Sequence, residues 1–539
     1  MWLMNLKMLK LSNSICHFTG ILILLFFYSC ATSPEMNDEY TEDILADELL
    51  WSQAETSLQK KDYKKAFTLY KQITDTSLIY TNRIKSMEYM LQIQINELKN
   101  PDLSHELLLS FKSKYPNASV YRKFYLPLAY LFLEKKRFQE TINFTLQYIK
   151  KGKLLSSVEM GESCYILGIS YLETGRSHDS VFYFSKANDL LQNKQKKADA
   201  LKHLAGLYWE VFKDRETAYH YISRLINLKP STAWDPEIRL LLKKIQWQFI
   251  DKNDGLKDDC ISAITFDGDD IWAGSWLGGA FKFSRSKNTI KIFNTRNGLV
   301  ANLIRDIKVD DSFIWIATFE GVSRFNKKNN TWNNFRSIPG VAYQRIKSIL
   351  VQDRYVWICT LGTGIQRYDK IMNTWTEYSN LPQFVVRVKE DSRDRTIGFA
   401  TLNNGFLLYK DGKWTHYSSK NYPQINNLAK DLAFDENYIY MASYKEGIIS
   451  LNKKTGEIES LKLPKKYYIN TMVLKNNRLY IGTLEDGLII YDLSTSKTRA
   501  ITIKDGMNSN NILTIEFEKD YIWIGTVDSG INIYYSPGL

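Results

Sequence analysis

Between residues 46 and 243 apolar side chains recur about every 3.6 positions. Glycine is scarce there and Leu, Lys, Glu and Gln dominate, a pattern that predicts consecutive amphipathic helices. From residue 244 onward the period falls to two, in short runs of β-formers separated by Gly, Asn and Asp, which predicts strands joined by tight turns. A chain of 539 residues is too long for one core, so the change of period marks a boundary between a helical part and an all-β part.

One line recurs throughout the second part. Ile271-Trp272-Ala273-Gly274-Ser275 has counterparts beginning at Ile314, Val356, Ile397, Ile439, Leu479 and Ile522. Each is followed by a glycine (Gly279, Gly321, Gly364, Gly405, Gly447, Gly487 and Gly530), and successive glycines stand 42, 43, 41, 42, 40 and 43 residues apart. A copy of that length holds four strands and is too small to bury its own faces, so seven copies predict a seven-bladed β-propeller. Within a copy, strand a is typified by Ile304–Ile307, strand b by the quoted line, strand c by Val322–Phe325 and strand d by Thr331–Phe335. The seventh copy ends on strand c, Ile531–Tyr535. Its fourth strand is expected from residues 245–250, because the stretch Ile245 to Leu256 matches Thr289 to Leu299; that strand would close the ring and cover its open edge.

In the helical part the small residues Ala54, Ala129, Gly168 and Ala205 recur at intervals of 75, 39 and 37, each followed by aromatic positions. This pattern resembles the tetratricopeptide repeat, most strongly over 161–190 and more weakly around 85–115, and implies four to five repeats. The expected fold is therefore multidomain, α + all-β: an N-terminal α-helical tetratricopeptide-like solenoid over 46–243, followed by a seven-bladed β-propeller over 244–539. The β repeat resembles the two-component regulator propeller repeat of periplasmic sensor regions in hybrid histidine kinases. No kinase or DNA-binding motif accompanies it in this sequence.

The first thirty residues read as an address. Lys7 and Lys10 precede the apolar run Ile21–Tyr28 and then Ser29-Cys30, which describes a secretory signal peptide over 1–29. The run is too short for a membrane span. Its end resembles a bacterial lipobox, with Phe27 and Tyr28 departing from the usual leucine and small residue. The resemblance implies lipidation at Cys30 and anchoring in the cell envelope. Ala31 and Thr32 lack the acidic residue of an inner-membrane retention signal, so the outer membrane is the expected location, with the side left open. Residues 30–45, rich in Asp and Glu, are expected to form an acidic, solvated tether.

Composition changes this picture little. Aromatic residues make up 14% of the chain, which suits many short packed strands. The net charge of +12 would suit nucleic acid, but lysines and acids are interspersed without a basic stripe or recognition motif, so no nucleic-acid partner is expected. Cys16, Cys30, Cys164, Cys260 and Cys359 stand too far apart for a metal site or a disulfide framework. No phosphate-binding loop, zinc-protease motif or nucleophile elbow occurs, and the six histidines are scattered. The expectation is no catalytic residues, no metal, no cofactor and no enzyme.

The face bearing the turns between strands b and c carries Trp276, Phe319, Glu320, Tyr444, Glu446, Glu485, Asp486 and Asp528. Aromatics beside acids make a candidate surface for a protein or a sugar, although Asp can equally serve the turns themselves. Three functions are open at this point. The first is a non-catalytic envelope lipoprotein acting as a protein–protein interaction scaffold. The second is an extracytoplasmic sensor of a glycan or small solute, recognisable by a deep aromatic-lined funnel. The third is a propeller lyase, which would need a His, Arg or carboxylate cluster at the funnel mouth.

Overall fold

Helices in the first half begin where a short polar side chain can hold the first free amides. Asp62, Asn100, Ser156, Asn193, Asp214 and Asp235 each accept from a backbone N–H two or three positions into the helix, and Ser156 with Glu159 forms a reciprocal box. The computed structural model describes residues 38–151, 155–287, 289–336 and 345–538. Residues 1–29 and Cys30 lie outside them. Among the described residues, eleven α-helices precede the first strand: α1 (Asp38–Gln59), α2 (Tyr63–Thr76), α3 (Tyr80–Gln92), α4 (Pro101–Lys114), α5 (Tyr125–Glu134), α6 (Phe138–Lys151), α7 (Ser157–Glu173), α8 (Ser177–Leu190), α9 (Lys194–Glu210), α10 (Arg215–Leu228) and α11 (Pro236–Gln246). No described helix is long and apolar enough to cross a membrane.

The turns inside successive helix pairs share one conformation. Lys61, Lys99, Lys136, Gly175 and Lys213 all adopt positive φ, between 48° and 75°, at steps of 38, 37, 39 and 38 residues. Polar side chains also bond at nearly that spacing, as Arg137 Nη1 to Asp102 at 2.8 Å and Tyr165 Oη to Asp199 at 2.5 Å. Small residues sit at the helix crossings. A Cβ on Gly168 of α7 would stand 2.6 Å from the Phe184 ring of α8, which is why that crossing needs glycine.

Two boundaries differ from the sequence reading. The acidic stretch expected as a tether to residue 45 is helical from Asp38, because acids are favoured in the first turns of a helix. The strand expected from 245 starts at Trp247. Ile238 and Ile245, two helical turns apart and both buried, carry α11 through Gln246.

Seven four-stranded antiparallel sheets follow. Six are built in simple chain order, with inner strands at Ile261–Asp267, Ile304–Val309, Ile346–Val351, Val385–Glu390, Ala429–Phe434 and Ile469–Lys475. The seventh has Ile512–Glu518 inside and takes its outer strand, Trp247–Ile250, from ahead of the first blade; Trp247 pairs with Tyr534 and Ile250 with Ile531. Seven apolar clusters each join neighbouring blades, as Trp272 and Phe293 of blade 1 with Ile307, Ile316 and Phe325 of blade 2. The strand-b aromatics Trp272, Trp315, Trp357, Tyr440, Tyr480 and Trp523 are buried at these joints. Blade 4 has Gly398 at that place. Phe434 of blade 5 occupies the space, with its Cζ 2.8 Å from where a Cβ on Gly398 would lie.

The chain divides into two compact units between Phe212 and Lys213, ahead of the change of period. The second unit includes α10 and α11 with the propeller. Tyr219 of α10 meets the Tyr535 ring edge-on at 5.3 Å, and Gln246 Nε2 donates to Tyr534 Oη at 3.1 Å.

Candidate functional site

Every inner strand carries the same irregularity. The ladder between strands a and b skips the second residue of strand a in all seven blades, leaving a bulge at Ser262, Arg305, Lys347, Val386, Lys430, Asn470 and Leu513. Bulges re-aim a side chain that strict alternation would send elsewhere. Three of these seven are cations, on blades 2, 3 and 5.

The strand b–c turns lie at the same end of the channel. In each blade the first turn residue donates its amide to the carbonyl just ahead of strand a: Trp276 to Cys260, Phe319 to Leu303, Leu361 to Arg345, Leu402 to Phe384, Tyr444 to Leu428, Leu484 to Tyr468 and Val527 to Asn511, at 2.9–3.1 Å. A ring of seven apolar or aromatic residues is thereby fixed beside the bulges. The turn itself is pinned by the closing residue of strand b, as Thr318 Oγ1 donates to the Gly321 carbonyl at 2.8 Å. Glycine is required at the next step in blade 1, where a Cβ on Gly279 would run into the Phe293 carbonyl.

Aromatics and cations meet at this mouth. The Arg305 guanidinium lies 4.9 Å from the Trp276 ring centre and 5.9 Å from that of Phe319; Lys430 Nζ lies 4.9 Å from the Tyr444 ring. The three aromatics are partly buried rather than splayed into solvent. The Trp276 indole nitrogen is buried without a hydrogen-bond partner among the described residues. None of Arg305, Lys347 and Lys430 has an ion pair or hydrogen bond among the described residues. Burial lowers the affinity of all three for their protons. For Lys347, burial and then the neighbouring charges of Arg305, Lys430 and Arg387 push the ammonium down to about 7.

Deeper in the channel the charges balance. Lys308 lies 3.2 Å from Asp306, Lys389 lies 2.8 Å from Asp431, and Arg387 lies 3.6 Å from the same carboxylate. Asp431 also accepts from Thr471 Oγ1 and the Met472 amide, and Asp306 from Ser348 Oγ and the Ile349 amide. Glu516, whose carboxyl burial raises, feels Lys308, Lys389 and Arg387. Charges on blades 2, 4, 5 and 7 act on one another, which places them around a shared central space. Three cations face three acids there, so the channel's excess positive charge is concentrated at the mouth.

The structure thus brings Trp276, Phe319 and Tyr444 to the mouth, with the candidate acids on the same strand b–c turns. Glu320, Glu446, Glu485 and Asp528 are exposed. Glu446 pairs with Lys466 at 2.6 Å and Asp486 pairs with Lys465. His416 lies on the outer strand of blade 4 with Nε2 2.6 Å from the Asn404 carbonyl. Arg305, Lys347 and Lys430 were not among the sequence candidates. Aligning the seven copies of strand a would have put them in one column. No cluster of His, Cys, Asp and Glu suited to a metal occurs among the described residues. In the helical unit an open pocket of about 270 Å³ is lined by Gln92, Ile95, Lys123, Phe124 and Pro127.

No protein-family model matches the chain, and no curated protein does. Solved structures similar to it include the extracellular domain of a putative hybrid two-component system from B. thetaiotaomicron, at 18% identity and a TM-score of 0.45, covering 53% of this chain and 42% of that one. A computationally designed protein, Ika8, gives 11% identity and a TM-score of 0.40, covering 52% of this chain and 98% of its own. YCF48 from Cyanidioschyzon merolae gives 12% and 0.43, covering 54% and 98%. The class of the molecule rests on its own strand order: a helical region followed by a seven-bladed β-propeller.

Proposed function

We propose that the protein is a non-catalytic receptor of the bacterial cell envelope, whose propeller mouth captures a ligand while its tetratricopeptide-like helices engage a protein partner. The observation that carries the reading is the convergence of Trp276, Phe319 and Tyr444 with Arg305 and Lys430 at one end of the channel. Half-buried aromatics over desolvated polar groups are what a preformed ligand site contains. The channel carboxylates Asp306 and Asp431 are engaged by cations and amides, which supports binding over acid–base chemistry. The near-constant spacing of left-handed turn residues in the helices supports a repeat built to present a surface.

Anchoring belongs to the same proposal: cleavage of residues 1–29, lipid on Cys30, and retention at the outer membrane. Metabolic labelling with a clickable fatty acid should mark the full-length protein and not Cys30→Ser. The mouth is tested by a photo-crosslinking residue at Glu446, compared with one at Lys454, in cells. Adducts confined to Glu446 support the reading. Equal adducts at both positions, or none, would count against it.

A further inference from the structure

The channel mouth holds three cations that nothing among the described residues neutralises. Arg305, Lys347 and Lys430 occupy the bulge position of blades 2, 3 and 5. At the same position Ser262 and Asn470 are bonded to the backbone of the next blade, Ser262 Oγ to the Ile304 carbonyl at 2.7 Å and Asn470 Nδ2 to the Ile512 carbonyl at 2.9 Å. The cations therefore do not serve the joint that their counterparts serve. Each loses hydration by burial, and no carboxylate lies within pairing distance among the described residues.

A natural alternative would be aromatic support alone, since Arg305 rests on Trp276 and Phe319, and Lys430 on Tyr444. Such contacts hold a cation in place without cancelling its charge. Among the described residues Lys347 has no ring contact of that kind, and it is the most strongly perturbed of the three. Uncompensated, partly buried charge destabilises the empty protein, and groups of that kind concentrate where a ligand supplies the missing counter-charge.

We propose that the propeller mouth binds a small organic polyanion, its carboxylate or phosphate groups lying among Arg305, Lys347 and Lys430 and its carbon framework against Trp276, Phe319 and Tyr444. This rests on the mouth being the ligand site, and adds the chemistry of the ligand. Cations on three different blades offer three separate contacts, so a ligand with two or more anionic groups matches the mouth. The unpartnered Trp276 indole N–H supplies one further donor. The charged groups facing Lys347 are Arg305, Lys430 and Arg387; Asp306 and Asp431, one position deeper, are already engaged by Lys308 and Lys389. Binding therefore strengthens as the solution is taken below pH 7, where Lys347 is protonated, and takes up a proton above it.

The test is calorimetry on the full-length protein with three probes: benzene-1,3,5-tricarboxylate, inorganic pyrophosphate, and the neutral benzene-1,3,5-trimethanol. The tricarboxylate or the pyrophosphate should bind and the triol should not; which anion binds identifies the source as carboxylate or phosphate. Lys347→Met and Lys430→Met should each weaken binding by about tenfold or more, while melting no lower than the parent because each removes an unpaired buried charge. Binding measured in two buffers of different ionisation heat should show proton uptake above pH 7 that Lys347→Met abolishes. Failure of both anions to bind, binding of the triol at equal strength, or unchanged binding in the two variants would overturn the proposal. If crosslinking at Glu446 persists in that case, the polyanion falls and the mouth remains; if crosslinking is absent as well, both fall.

Discussion

The indole N–H of Trp247 donates to the carbonyl of Asp505, 258 residues away, at 3.0 Å, and the same ring lies against Gly506, 2.8 Å from where a Cβ would stand. Trp332 in blade 2 makes the equivalent approach to Gly298. Gly298 and Gly506 have φ of 139° and 114°, so the loop into each blade must leave that face bare for the outer-strand tryptophan. Trp247 thus completes the last blade in the manner of an ordinary blade, although its strand comes from the far end of the propeller sequence.

Trp247→Ala should be among the most damaging substitutions in the propeller. Trp247 is buried against Tyr534, with ring centres 4.7 Å apart. The expected cost is about 3–5 kcal/mol. Chemical denaturation of the full-length protein measures it. In parallel, a 213–539 fragment should remain monomeric in size-exclusion chromatography, and a 252–539 fragment, lacking the closing strand, should aggregate.

Asp431→Ala should cost about 3–5 kcal/mol at neutral pH, because it leaves Lys389 and Arg387 facing an empty space. Burial tends to raise the Asp431 carboxyl, but Lys389, Arg387 and the Met472 amide outweigh it and hold the group below its ordinary value of 3.8. Folded affinity for the proton is then lower than unfolded affinity. The stabilisation is complete above about pH 4 and is lost as pH falls through the depressed folded value. The stability gap between parent and variant should therefore be widest at neutral pH and shrink below about pH 4. Denaturant midpoints across that range check the sign.

Gly398 and Phe434 should be energetically coupled. Gly398→Ala alone forces its new Cβ onto the Phe434 ring and should cost about 1–3 kcal/mol. Combined with Phe434→Leu, the penalty for the added methyl should largely disappear. A double-mutant cycle by thermal or denaturant unfolding reads the coupling, and additive effects would contradict the assigned contact.

Gly168→Ala should destabilise the helical unit, although alanine favours helix at most sites. The Phe184 ring, fully buried and stacked on His203 at 5.0 Å, cannot withdraw. A loss of about 1–3 kcal/mol is expected by circular dichroism melts. The control Gly206→Ala has open space around its Cβ and should be neutral or stabilising.

The blade repeat was legible because strand b alternates faces regularly and ends in a turn that demands glycine. The mouth was only half legible. Trp276, Phe319 and Tyr444 follow the strand-b line directly, so their shared end of the channel could be read from position. Arg305, Lys347 and Lys430 sit on bulges, where period two fails, and lysine or arginine in strand a reads as ordinary exposed charge. Gly398 departs from the aromatic of strand b, and its compensation, Phe434, comes from the next blade, so no local signal announces it. In the helices, Gly175 announces a left-handed turn, whereas Lys61, Lys99, Lys136 and Lys213 adopt the same conformation without any local signal.

The position of Trp247–Ile250 also sets a timetable. A strand that emerges early from the ribosome has no partner until Ile531–Tyr535 is made, and at roughly 5–20 residues per second that wait lasts roughly 15–60 seconds. Until that partner exists the ring cannot close, and its first and last edges stay open. Ring closure is then a contact of very long sequence separation, slow to form and available only to a chain that has reached its final blade. A prematurely terminated product would carry an unpaired tryptophan strand at one edge, and the folding machinery would meet it as an incomplete molecule.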